Sequence, residues 1–147
     1  MVRNRHFEEI DVGETTTTRG RTITEADVVN FAGVSGDFHP LHVDAAHAAD
    51  SSFGQRIAHG LLVLSVAASL AMAYNEHAFF YGFDSIRFVN PTFLGDTISV
   101  ETEVVETTER SAEFGTVVTH AEATKADGET VLAYDLVELV ERESAAE

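Results

Sequence analysis

The stretch from Gly60 to Tyr74 constrains the fold most, because it is apolar almost throughout and contains neither a charge nor a proline. Its residues favour a helix, and only Ser65 and Ser69 interrupt the apolar run. The stretch is too short to span a bilayer comfortably. A helix that is apolar all round has to be buried on every side. In a chain of 147 residues, this predicts one central helix enclosed by the rest of the fold.

The second half of the chain predicts the enclosing layer. Four segments are rich in β-branched residues and partly alternate between apolar and polar positions, which is typical of strands. They are Phe83–Val89, Thr97–Thr108, Phe114–Thr124 and Val131–Glu141. Turn residues separate them, and Asp127-Gly128 is a good hairpin turn. The expected architecture is α+β, with a curved antiparallel sheet wrapped around one long buried central helix.

The first half of the chain predicts shorter elements within the same domain. Thr24-Glu25-Ala26-Asp27 resembles a capping box that opens a short helix, and Thr15–Thr18 suits a strand. Asp44 is a candidate cap for a turn of helix over 45–49. The length and the 44% of hydrophobic residues suit one domain, which we place at 1–147.

The formal net charge of −16 limits the partners of the chain. Acidic residues occur along the whole sequence, so binding to nucleic acid phosphates would be electrostatically unfavourable. One interpretation is a merely acidic protein, and the other is adaptation to a cytoplasm of high salt concentration. Lys125 is the only lysine among nine basic residues, which favours the second interpretation.

The chain contains no cysteine, which excludes disulfides, thiolate chemistry and cysteine-based zinc sites. The first nine residues include two arginines but no apolar core after them, so they do not resemble a signal peptide. We therefore expect a cytoplasmic protein that does not associate with membranes.

An acid and an imidazole, Asp37 and His42, lie five residues apart around a proline. Pro40 excludes one regular helix through this segment, because it disfavours the helical conformation at His39. A loop that presents both groups, held by a rigid proline and preceded by the flexible Gly36, suits the handling of protons.

Three motifs occur in order along the chain: Phe31…Ser35-Gly36-Asp37-Phe38-His39-Pro40-Leu41-His42…Ala48, then 57–61 (IAHGL), then 88–98 (FVNPTFLGDTI). With these motifs the sequence resembles the MaoC-like dehydratases, a family that includes the (R)-specific enoyl-CoA hydratases. The resemblance covers nearly the whole chain and implies the hot-dog fold. It also implies reversible hydration of trans-2-enoyl-CoA to (R)-3-hydroxyacyl-CoA. One position departs from the pattern, since His39 stands where the family commonly has asparagine.

The resemblance implies a catalytic role for Asp37, His42 and Gly60. A carboxylate accepts a proton from water, and an imidazole exchanges protons near neutral pH. Asp37 is favoured as the main base and His42 as the group that orients water and donates a proton, although the sequence leaves this division open. The Gly60 N–H at a helix N-terminus suits the negative charge that develops on the thioester oxygen, although packing at the helix start would also explain this glycine.

Four further residues are candidates for contact with the substrate: Phe38, His59, Arg56 and Arg87. His59 is expected to position the loop rather than to do chemistry. The two arginines are candidates for contacts with the CoA phosphates, because cations are scarce in this chain. A structural salt bridge is an equally good explanation of each arginine.

No metal ion and no redox cofactor is expected, since CoA serves only as the carrier of the substrate. The spacing of His39 and His42 is compatible with a metal site, but Pro40 lies between them and no HExxH pattern occurs. Two other functions stay open: a hot-dog thioesterase and a non-catalytic acyl-CoA-binding subunit. The exposed sheet edge of a hot-dog protomer predicts a homodimer or a higher even oligomer.

Overall fold

The computed structural model describes residues 4–143. Six strands form one antiparallel sheet in the order β1-β4-β5-β6-β3, and β2 pairs with β4 beside β1. The strands are β1 Thr15–Thr17, β2 Arg21–Thr22, β3 Ala78–Phe88, β4 Thr97–Glu109, β5 Phe114–Lys125 and β6 Thr130–Glu141. The four strands predicted in the second half are therefore confirmed, with the largest difference at the start of β3. Strand β2 was not predicted.

The helices lie between β2 and β3, after a short 3₁₀ helix at Phe7–Glu9. They are α1 Glu25–Ser35, α2 Pro40–Val43, α3 Ala45–Ala49 and α4 Gly60–Ala71. The capping box before α1 is confirmed, because the Asp27 N–H donates to Thr24 Oγ1 and the Thr24 N–H donates to the Asp27 carboxylate. Asp44 caps α3 by accepting a hydrogen bond from the His47 N–H. No helix within residues 4–143 combines the length and the apolar character needed to cross a membrane.

The main hydrophobic core lies between α4 and the inner face of the sheet. Side chains of α4 such as Leu62, Val63 and Ala67 belong to one buried cluster with Val100 of β4 and Leu132 of β6. This arrangement confirms the α+β class and the sheet packed against a central helix. The packing also holds the first turn of α4, which begins at Gly60, in place against the sheet.

Two details of the predicted central helix are wrong. It ends at Ala71 rather than at Tyr74, and it is not buried on every side within this chain. Leu61, Ser65 and Ser69 are spaced four residues apart, so they share one face of the helix, and that face is exposed. The Leu61 side chain keeps 61% of its surface accessible. The two serines that interrupt the apolar run mark this exposed face.

Candidate active site

The loop after α1 orients the carboxylate of Asp37. Gly36 ends α1 in the left-handed conformation, with a φ of 78°, and its N–H donates to the Ala32 carbonyl. The next residue, Asp37, donates its N–H to Ser35 Oγ at 3.1 Å. Its Oδ1 accepts the His39 N–H at 3.2 Å, a local turn typical of aspartate. Oδ1 is thus bonded to the backbone, whereas Oδ2 lies on the side of α2.

The short helix α2 positions His42. Pro40 occupies its first turn, and His39 caps it by accepting the Leu41 N–H at Nδ1, 3.2 Å away. An imidazole therefore caps this helix at the position where the motif commonly has asparagine. One turn later, His42 Nδ1–H donates to the Ile57 carbonyl at 2.7 Å. This bond assigns the proton of the neutral ring to Nδ1 and leaves Nε2 available.

Asp37 and His42 face each other through the two atoms that the backbone bonds leave free. Asp37 Oδ2 lies 3.9 Å from His42 Nε2. This distance is too long for a direct hydrogen bond but allows one water molecule to bond to both groups. The carboxylate is half exposed, whereas the imidazole is 12% exposed. The pair can therefore hold a water molecule from solvent and exchange protons with it.

His59 contacts both Asp37 and His42. It is 2% exposed, and its Nε2–H donates to the Asp37 carbonyl at 2.9 Å. Its ring stacks on that of His42, with centroids 3.9 Å apart and planes 30° from parallel. Phe31 also packs against the His59 ring, with centroids 4.9 Å apart. These contacts suit a positioning residue, which fixes the Asp37 backbone and the plane of the His42 ring.

Gly60 is the first residue of α4 and directly follows His59. The first N–H groups of a helix have no intrahelical acceptor and lie at the positive end of the dipole. A Cβ at this position would lie 3.1 Å from the Phe88 ring, so tight packing also favours glycine here. A cavity of about 430 Å³ is lined by Gly60, Phe53, Phe88 and Pro91, among others. The cavity has the size of a small-molecule site.

Residues 8–126 match the family model described as MaoC like domain. The chain belongs to the MaoC-like family. The hot-dog fold is confirmed by a solved protein from Mycobacterium tuberculosis described as a double hotdog fold, with a TM-score of 0.83, 18% identity and coverage of 98% of this chain and 46% of that one. Asp37, His42 of α2 and the start of α4 all lie within the matched range.

Two curated MaoC-like relatives carry different names. Protein MaoC of Klebsiella aerogenes is 44% identical over 65% of this chain and 29% of its own length. The 3-hydroxybutyryl-CoA dehydratase of Methylorubrum extorquens is 35% identical over 69% of this chain and 64% of its own. The match thus spans less than two thirds of either relative.

Two solved structures match the MaoC-like chain over nearly its whole length. One is described as the monoamine oxidase regulatory protein from Archaeoglobus fulgius, with a TM-score of 0.91 and 36% identity over 97% of this chain and 99% of that one. The other is an (R)-hydratase from Pseudomonas aeruginosa, with a TM-score of 0.76 and 32% identity over 99% of this chain and 94% of that one. Both structures are more than 30% identical to this chain, so the similarity extends to the sequence as well as to the fold.

Of the remaining candidates of this MaoC-like chain, Phe38 lies on the loop itself, whereas the two arginines are engaged elsewhere. Phe38 is 60% exposed. Arg56 forms a two-pronged ion pair with Glu25 of α1, which raises the pKa of the guanidinium and lowers that of the carboxyl. Arg87 donates to the Ile86 carbonyl, and its side chain projects from the face of β3 opposite to Phe88. Contact between these arginines and CoA phosphates stays a prediction, and Arg56 would first have to release Glu25.

Asp37, His42 and His59 also offer one ligand atom each within 4.8 Å of one another, which is compatible with a metal ion. Each imidazole has already committed one nitrogen to a backbone carbonyl. This leaves one nitrogen per ring for any ligand. The expectation that no metal is needed stays a prediction.

The sequence analysis expected His59 to position the loop but did not foresee two of the contacts that assemble the site. The carbonyl of Ile57 orients His42, and the ring of His59 stacks on His42. A backbone carbonyl leaves no signal in the sequence. The motif Ile57-Ala58-His59-Gly60 was recognised in the sequence, but it did not indicate that His59 stacks on His42 of the first motif.

Proposed function

We propose that this chain catalyses the reversible hydration of trans-2-enoyl-CoA to (R)-3-hydroxyacyl-CoA. The observation that carries this proposal is the 3.9 Å separation of Asp37 Oδ2 and His42 Nε2 beside the first turn of α4. The presence of a 3-hydroxybutyryl-CoA dehydratase and an (R)-hydratase among the relatives supports the same reaction. The CoA moiety carries the substrate and takes no chemical part.

In the proposed mechanism, Asp37 and His42 hold one water molecule next to C3 of the enoyl group. Asp37 accepts a proton as the water oxygen bonds to C3, and the electron pair of the double bond moves toward the thioester oxygen. The Gly60 N–H stabilises the charge that develops there. Asp37 passes this proton to His42 Nε2, which delivers it to C2, so that both groups return to their starting state. His59 keeps both groups in place through the bonds described above.

The direct test uses crotonyl-CoA, because hydration removes the conjugated enoyl chromophore. We expect the absorbance of the enoyl band to fall and the product to be (R)-3-hydroxybutyryl-CoA on chiral analysis. The rate should be unchanged by EDTA, since the mechanism assigns no step to a metal ion. Release of free CoA thiol would instead identify a thioesterase. Binding without loss of the chromophore would identify an acyl-CoA-binding subunit, and either result would reject the proposal.

The edge strand β3 predicts how the protein assembles. Among residues 4–143, β3 pairs on one side only, with β6, and its Phe79, Phe80 and Tyr81 are about half exposed. Covering an unpaired apolar edge stabilises the fold, so we expect a homodimer or a higher even oligomer by light scattering. Phe80→Lys should shift the protein toward monomer, whereas Val105→Lys, at an exposed apolar position on β4, should not. An active wild-type monomer at micromolar concentration would contradict this expectation.

A further inference from the structure

The third sequence motif, residues 88–98, supplies none of the groups that the proposed hydration uses. Its centre is the 93–96 turn, which is closed by a hydrogen bond from the Asp96 N–H to the Phe93 carbonyl at 3.1 Å. Gly95 occupies the third position of this turn with a φ of 94°, a left-handed conformation that favours glycine there. The motif therefore forms a turn of defined shape next to the elements of the candidate active site.

This turn pairs with the backbone that leads into α4. Phe93 forms an antiparallel bridge with Ile57, and the Ala58 N–H donates to the Thr92 carbonyl at 2.7 Å. Thr92 is 5% exposed, so this pairing is shielded from water. The carbonyl of Ile57 accepts the hydrogen bond from His42 Nδ1–H at 2.7 Å. A residue of the third motif thus pairs with the residue whose carbonyl orients the imidazole.

Lys125 of β5 holds the 93–96 turn with its ammonium group. Its Nζ lies 3.0 Å from Asp96 Oδ2, and the same oxygen accepts the Phe93 N–H at 2.8 Å. The ammonium also lies over the Phe93 ring, 4.9 Å from its centroid. Glu129 of the β5–β6 hairpin is a second partner, with its Oε1 3.2 Å from Nζ. Burial alone would lower the pKa of Lys125, but the bonds to Asp96 and Glu129 raise it overall, so the ammonium stays charged.

We propose that Lys125 is a positioning residue for His42. Its ammonium holds the Asp96 carboxylate, which holds the Phe93 N–H, and Phe93 holds Ile57 by backbone pairing. A shift of the turn therefore moves the imidazole relative to the carboxylate with which it shares a water molecule. A misplacement of about 1 Å can slow a reaction between aligned groups by about 100-fold. The effect on catalysis rests on the proposed function, whereas the effect on the bond between His42 and Ile57 does not.

The kinetic test compares Lys125→Met with Glu129→Gln. Methionine keeps much of the apolar stem of lysine but lacks the charge that binds Asp96. Glutamine at position 129 removes the other carboxylate at the same ammonium and leaves the 93–96 turn in place, so it is the matched control. We expect Lys125→Met to lower kcat for crotonyl-CoA about tenfold with KM changed less than about twofold, and Glu129→Gln to change neither. Lys125→Arg should restore most of the rate, because it keeps a cation near Asp96.

A spectroscopic test follows the hydrogen bond itself. In protein with isotope-labelled histidine, NMR measures the exchange of the His42 Nδ1–H with water, and His42→Ala identifies its signal. We expect this exchange to be about tenfold faster in Lys125→Met and unchanged in Glu129→Gln. A lysine that only stabilises the fold would change the melting temperature of both variants and leave the exchange as it is. Asp96→Asn removes the ion pair but keeps an oxygen for the backbone, so it decides the question if Lys125→Met does not fold.

The proposal is overturned if folded Lys125→Met and Asp96→Asn keep either the wild-type kcat or the wild-type exchange at His42. It is also overturned if Glu129→Gln slows hydration as much as Lys125→Met, because a general loss of stability then explains both. If the wild type does not hydrate crotonyl-CoA, the proposed function fails instead. The exchange measurement then still decides whether Lys125 holds His42.

Discussion

Asp37→Asn and His42→Ala are each expected to lower kcat/KM for crotonyl-CoA by at least about 100-fold, the usual scale of acid–base assistance. Asparagine keeps the size of the aspartate side chain but cannot accept a proton from water. Alanine at position 42 removes Nε2, the imidazole nitrogen that faces Asp37 Oδ2 at 3.9 Å. The measurement is the initial rate of enoyl absorbance loss over a range of substrate concentrations. The loss should fall mainly in kcat, because neither group binds the CoA moiety in the proposed mechanism.

Two neighbouring residues provide matched controls for these variants. Asp50 and His47 are exposed and lie within nine residues of His42. Asp50→Asn and His47→Ala should keep nearly the wild-type rate. Circular dichroism and light scattering on all four variants separate loss of catalysis from loss of structure. A folded Asp37→Asn or His42→Ala protein with near-normal hydration would remove that residue from the mechanism.

Stability and activity are both expected to rise from 0.01 M toward molar KCl. The net charge of −16 raises the energy of the compact state through self-repulsion. The screening length falls from about 30 Å at 0.01 M to about 3 Å at 1 M, so salt suppresses most of this repulsion. One kcal/mol moves the melting temperature of a chain of this size by about 2–4 °C, and we expect a total rise of roughly 10 °C. Thermal melts and hydration assays across this range provide the measurement.

The outer face of the sheet offers a specific check on this salt dependence. Glu101 of β4 and Glu122 of β5 are direct cross-strand partners, and both are exposed. Like charges placed opposite one another destabilise a sheet. Glu101→Gln should therefore stabilise the protein at low salt and have little effect at molar salt. A flat or falling response of the wild type in both melts and assays would reject adaptation to high salt and leave an acidic protein with the same active site.

The elements that the sequence predicted well depend on local chemistry. The Thr24 capping box and the alternation along β4 are readable over a few residues, and both were confirmed. Asp37 and His42 were also identified locally, because Pro40 and the turn at Asp37 bring them together within one short segment. The pairing of these two groups thus needed no knowledge of the rest of the fold.

The features that the sequence did not reveal depend on contacts between distant segments. The stack of His59 on His42 and the ion pair of Arg56 with Glu25 join residues 17 and 31 positions apart along the chain. Tyr134 was predicted only as part of a strand, since nothing local shows that its hydroxyl is buried without a hydrogen-bond partner among residues 4–143. The exposed face of α4 was missed because the coverage of a helix depends on its neighbours.

The geometry at Asp37 and His42 has a genetic consequence. Both side chains and the two carbonyls that orient them come from one chain, so each protomer carries its own pair of Asp37 and His42. When an Asp37→Asn chain and a His42→Ala chain are coexpressed, every site contains one of the two defects. Mixing the two defective alleles therefore cannot regenerate an intact centre. A mixture of wild-type and Asp37→Asn subunits should instead lose activity in proportion to the mutant fraction.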